Sequence, residues 1–127
     1  MKCEMKAKTS INPTEDFKKV INAVSNIFDY EEMEIGDDYV LVMGGKESLL
    51  KLKESLKKRR IRNTARKILT KGTYDKVIFF KLSKQAAFTG VINLTEEDLS
   101  PLGEIKVKIE TDDVDGFIDW IAPQIQN

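Results

Sequence analysis

The chain has 127 residues, 41% of them hydrophobic and 33% charged, with 21 Lys and Arg balanced by 21 Asp and Glu. These totals describe one globular domain with a modest single core, and no apolar run approaches the ~20 residues that a membrane helix needs. Histidine is absent and Cys3 is the only cysteine, which excludes imidazole-based nucleophile systems, an internal disulfide and a thiolate zinc site.

The first predicted element is a strand over 2–11, where Cys3, Met5, Ala7, Thr9 and Ile11 alternate with polar neighbours at the period of a half-buried strand. Asn12 then opens a helix over about 14–28, with Pro13 at its first position and Glu15 two residues later. Phe17, Val20, Ile21, Val24 and Ile27 form its inward stripe. Met33 to Met43 reads as one extended region, clearest at Tyr39 to Met43, and Gly44-Gly45 ends it. Leu49, Leu52 and Leu56 predict a helix over 46–58, and Ile61, Ala65, Ile68 and Leu69 another stripe over 61–71. Arg59-Arg60 is compatible with a bend between two helices or with one continuous helix, and Gly72 reads as a stop.

Val77 to Leu82 and Ala86 to Leu94 read as a strand pair linked by a hairpin at Ser83-Lys84-Gln85. Ser100 to Gly103 predicts a turn, and Glu104 to Glu110 a further strand. Asp112 or Asp113 caps a last helix, with Val114, Phe117, Ile118 and Ile121 inward and Pro123 ending it. The expected fold is α+β, a largely antiparallel five-stranded sheet with helices packed on one face, in the order β-α-β-α-α-β-β-β-α. Residues 1–127 form a single domain in this reading.

The zero net charge conceals a strong separation. Residues 46–76 hold twelve basic and three acidic residues, net +9, between flanks of net −4 (1–45) and −5 (77–127). Eight of the fifteen residues from Lys53 to Lys67 are basic and four of those are Arg. Too few acids accompany them for i,i+4 pairing, so the block suits a polyanion. No Trp or Phe lies within it to enter lipid, which argues against a membrane surface.

Other motifs fail on inspection. Gly44-Gly45-Lys46 lacks the hydroxyl residue and the first glycine of a phosphate loop. Asp112 to Gly116 has Thr111 and Ala122 where a calcium loop needs its first ligand and its bidentate Glu. Asp115 and Asp119 share a helix face, but nothing nearby makes them an acid/base pair.

Pro13-Thr14-Glu15-Asp16, Asn63-Thr64-Ala65-Arg66, Lys84-Gln85-Ala86-Ala87-Phe88-Thr89-Gly90, Pro101-Leu102-Gly103-Glu104-Ile105 and Ile118-Asp119-Trp120-Ile121-Ala122-Pro123 occur in this order. Together they resemble an uncharacterised archaeal protein family classed as RNA-binding proteins or exosome subunits. Asn63 and Ser83 depart from the Asp and Asn of that pattern. The resemblance covers nearly the whole chain. It implies a small α+β domain similar in fold to the 5S-rRNA-binding ribosomal protein of the large subunit, a homodimer, and a place in a larger RNA-processing or ribosomal complex.

The resulting expectation is a non-enzymatic cytoplasmic RNA-binding protein with no cofactor and no metal site. Arg59, Arg60, Arg62, Arg66, Lys67 and Lys71 are the expected phosphate contacts, flanked by Lys84 and Gln85 on the hairpin tip. The alternative is a module that docks an acidic protein through the same basic face. A homodimer is also expected from Val77 and Phe79, which alternation places on the sheet face opposite Ile78, Phe80 and Leu82.

Overall fold

Strict alternation makes the first strand, and its odd-numbered residues Met5, Ala7 and Thr9 are buried while Glu4, Lys6 and Lys8 face solvent. A computed structural model describes residues 1–96 and 103–124 of the chain. In order, the elements are β1 (Cys3–Ser10), α1 (Phe17–Ile27), β2 (Glu32–Ile35), β3 (Tyr39–Gly44), a 3-10 turn (Lys46–Leu49), α2 (Leu50–Lys58) and α3 (Arg62–Lys71). Then follow β4 (Thr73–Tyr74), β5 (Val77–Ser83), α4 (Lys84–Phe88), β6 (Leu94–Thr95), β7 (Glu104–Thr111) and α5 (Val114–Ile121).

The α+β class and the antiparallel sheet are as expected, but among the described residues the sheet has seven strands rather than five. Its order is β2-β3-β1-β7-β5-β4, with β6 also on β5, and every pairing among the described strands is antiparallel. The extended region 33–43 is in fact a hairpin. Gly36, whose N–H donates to the Tyr39 carbonyl, turns the chain between β2 and β3. The expected strand 86–94 is replaced by helix α4 and the two-residue β6. Ser83 explains the error: its side chain accepts from Ala86 N–H at 3.1 Å, a helix cap where a hairpin turn was read. The turn expected at 100–103 lies mostly outside the described residues.

Helix α1 starts later than expected. Asp16, not Asn12, is its cap, accepting from Lys18 N–H at 2.9 Å. Glu15 instead reaches back to Asn12, taking hydrogen bonds from both its backbone and side-chain N–H. The preceding Pro-Thr-Glu therefore forms a turn, and Phe17, expected in the inward stripe, is exposed.

The basic stretch forms two helices. Arg60 takes a positive φ of 56°, a left-handed conformation that stops α2. Gly72 does end α3, but its φ of −83° is ordinary. Its role is close approach: a Cβ there would lie 1.9 Å from the Phe79 carbonyl oxygen of β5.

The described helices cover one face of the sheet. Ile78, Phe80 and Leu82 of β5 and Ile105, Val107 and Ile109 of β7 pack there under Val20, Val24, Leu52, Leu56, Leu69, Phe117 and Ile121. No helix among the described residues is long and apolar enough to cross a membrane.

Candidate nucleic-acid interface

Helices α2 and α3 each bury one leucine-rich side, Leu52 and Leu56 on one and Ala65, Ile68 and Leu69 on the other. That leaves their cations to the outer surface. The structure divides them into held and free groups. Arg59 Nη1 donates to the Ile92 carbonyl, so it straps the loop after α4 against the end of α2. Arg66 Nη1 donates to Asp119 Oδ1 at 2.8 Å and to the Ala122 carbonyl at 2.9 Å, fastening α3 to the end of α5. Arg62 is half-buried, and its Nε is enclosed without a hydrogen-bond partner among the described residues.

Lys71 pairs loosely with Glu96 at 3.6 Å, and Lys51 and Lys58 pair with Asp29 and Glu54. Lys46 and Lys53 lie 4.6 and 5.6 Å from the centre of the Trp120 ring, a cation–π arrangement. Lys57, Arg60 and Lys67 are exposed and make no ion pair among the described residues. The arginines singled out from the sequence thus serve partly as packing ties. Lys57, Arg60 and Lys67 are the more available cations.

Lys84 is not on a hairpin tip. It opens α4 and is wholly buried, its Nζ 2.6 Å from both Glu15 Oε1 and the Ser10 carbonyl. Burial alone would raise the Glu15 pKa. The hydrogen bonds from Lys84 and Asn12 outweigh it and hold the carboxyl below its ordinary value. A cation so enclosed cannot reach a phosphate, whereas Gln85 beside it is exposed. Asp115 and Asp119 do not act as a pair either, since Asp119 is taken by Arg66. Among the described residues, no group of three or more acidic or thiol side chains is placed to hold a metal ion.

A second cationic surface escaped the sequence reading. On the sheet face away from the helices, Lys8 of β1 stands opposite Lys106 of β7, and Lys106 opposite Lys81 of β5. One step along the strands, Lys6 stands opposite Lys108, and Lys108 opposite Phe79. Lys8 also lies 4.6 Å from the centre of the Tyr39 ring. The Tyr39 hydroxyl donates to Glu34 at 2.9 Å, which raises its pKa. The signal for this face was the shared parity of Lys6, Lys8, Lys106 and Lys108, but only the register of β1 on β7 makes them neighbours.

The described residues thus form a small α+β domain, an antiparallel sheet closed on one side by helices, with cationic side chains on the outer surface of α2 and α3 and on the open face of the sheet. A family model described as RNA binding matches residues 4–111, and the chain belongs to that family, with the archaeal UPF0201 proteins as its relatives. The UPF0201 protein of Methanothermobacter thermautotrophicus is 46% identical over 96% of this chain and 92% of its own. That of Saccharolobus solfataricus is 42% identical over 90% of this chain and 83% of its own. The crystal structure of a UPF0201 protein from Methanococcus jannaschii superposes with a TM-score of 0.80 at 35% identity, covering 98% of this chain and 96% of that one.

Proposed function

We propose that the protein binds RNA without catalysing a reaction on it, through phosphate contacts along the outer surface of α2 and α3. The observation that supports this most directly is the set of exposed cations Lys57 on α2, Arg60 in the link between the helices and Lys67 on α3, which make no ion pair among the described residues. Arg62, Lys71 and Gln85 border them, and Arg59 and Arg66 shape the surface through their ties to Ile92 and Asp119. Point charges on helices suit a phosphate backbone and read no base sequence. The homodimer belongs to the same reading; because lysines surround the Val77–Phe79 face from which it was expected, we assign it instead to β2, an edge strand among the described residues on which Met33 and Ile35 are exposed.

Salt titration of RNA binding tests the site. Each phosphate contact to a single strand contributes about −0.7 to the slope of log affinity against log salt. Changing Lys57, Arg60 and Lys67 together to Gln is expected to flatten that slope by about two, similarly for unrelated sequences. Tight binding to polyglutamate with none to RNA at low salt would favour the acidic-protein reading instead.

A further inference from the structure

The uncovered face of the sheet concentrates positive charge in a way that costs the isolated protein stability. Neighbouring strands lie about 4.8 Å apart, and like charges directly opposite each other on one face repel. Yet Lys6 faces Lys108, and Lys8 faces Lys106 with Lys81 beyond it. The acids on this face stand at its margins: Glu4 opposite Glu110 along the strands, Glu104 at the start of β7 beside Lys8 and Lys106, and Glu32 and Glu34 out on β2. Glu110 pairs with Lys108 at 3.0 Å. Lys6 and Lys106 are exposed and make no ion pair among the described residues.

Phe79 completes the block. It is 52% exposed on the same face, directly opposite Lys108. Beside it, at the edge of β5, a cavity of about 410 Å³ is lined by Phe79, Lys81 and Lys106 and, on the side of α3, by Lys71 with its partner Glu96. A hydrophobic contact alone would not require lysines around the ring. An acidic polypeptide would match the lysines but offers no regular planar group for Phe79. A second copy stacked on this face would bring its own lysine block against this one.

We propose that the open face of the sheet is a platform for single-stranded RNA, on which Lys6, Lys8, Lys106 and Lys108 meet phosphates and Phe79 stacks on a base. The inference rests on the RNA-binding reading above and assigns it a second, separate surface. A single strand fits because its bases are free to stack on an aromatic ring, whereas a duplex keeps them within its own stack. The acidic margins confine the strand to a path across β1, β7 and β5.

The probe is a fluorescein-labelled twelve-residue oligouridylate, followed by anisotropy with the full chain, with a twelve-base-pair RNA duplex as comparison. The expected result is tighter binding of the single strand. Phe79→Ala should weaken it roughly 5- to 150-fold, the conversion of one stacking contact of about 1–3 kcal/mol. Lys6→Gln with Lys106→Gln should flatten its salt slope by about 1.4 while melting at or above the parent temperature, since like charges are removed. If the parent binds the oligonucleotide and these variants bind it equally, while the α2–α3 variant loses affinity, the platform is overturned and the RNA-binding reading stands. A parent that prefers the duplex, or sheet variants that change only the oligomeric state in light scattering, overturn the platform as well. If the parent binds neither RNA at low salt, both readings fall together.

Discussion

The ammonium of Lys84 lies 2.6 Å from Oε1 of Glu15, and both side chains are closed off from solvent, with 0% and 5% of their surface exposed. The pair joins the first turn of α4 to the segment between β1 and α1, and Ser10 and Asn12 supply further hydrogen bonds to it. A residue that reads as a surface contact is instead an internal tie. Removing one partner leaves the other charge buried and uncompensated.

Lys84→Met is therefore expected to lower stability by about 3–5 kcal/mol. Lys84→Met combined with Glu15→Gln should recover part of that loss, because no isolated charge remains. Chemical denaturation of the three variants measures this. Equal losses in the single and double variants would show that the pair itself is not what stabilises the junction.

The same pair makes stability depend on acid. The Glu15 pKa is lower in the folded protein than its ordinary value, so the folded state binds fewer protons at this site than the unfolded chain. Its contribution is fully present above the ordinary carboxyl pKa and is lost as pH falls through the lowered one. The parent should lose more stability than Glu15→Gln between neutral pH and acid, as thermal melts across that range would show.

Gly72 approaches the backbone of β5 too closely for any side chain. Gly72→Ala places a methyl 1.9 Å from the Phe79 carbonyl oxygen, which must shift the end of α3 or the strand. A loss of about 1–3 kcal/mol is expected from such overpacking. A variant as stable as the parent in denaturant would show that the two elements separate freely.

Cys3 should be a slow thiol. Burial pushes its pKa up to about 11, against the smaller opposing pull of Lys46, with Glu4 and Glu47 adding to the rise. Thiolate is the reactive form, so modification by a disulfide reagent at pH 8 should be far slower in the folded protein than in denaturant. Equal rates would contradict this.

RNA incubated with the protein should remain intact. The chain has no histidine, and the one carboxylate pair suggested by helix spacing is broken up by the Arg66–Asp119 ion pair. Cleavage that co-purifies with the protein and disappears in Asp115→Asn or Asp119→Asn would refute the non-enzymatic reading.

Much of the fold was legible because period and polarity agree with it. The alternation in 3–10 and 104–111, and the leucine and isoleucine stripes at 49–56 and 65–69, all lie on the faces they indicate. The errors fall where a short polar group decides the local structure. Ser83 caps a helix within a β-rich stretch, Gly36 splits one extended run into a hairpin, and Asp16 takes the cap from Asn12.

The candidate site divides along the same line. Local composition alone located the basic helices, because the cations of a helical segment stay together in sequence and in space. Pairing between distant strands is invisible to such a count. Lys6 and Lys8 come from a segment of net −4, and Lys81, Lys106 and Lys108 from one of net −5. They meet because β1, near one end of the chain, pairs with β7, near the other, in a register that aligns residues of one parity. The two-residue period of each strand then turns those lysines to the open face, while their apolar neighbours enter the core beneath the helices.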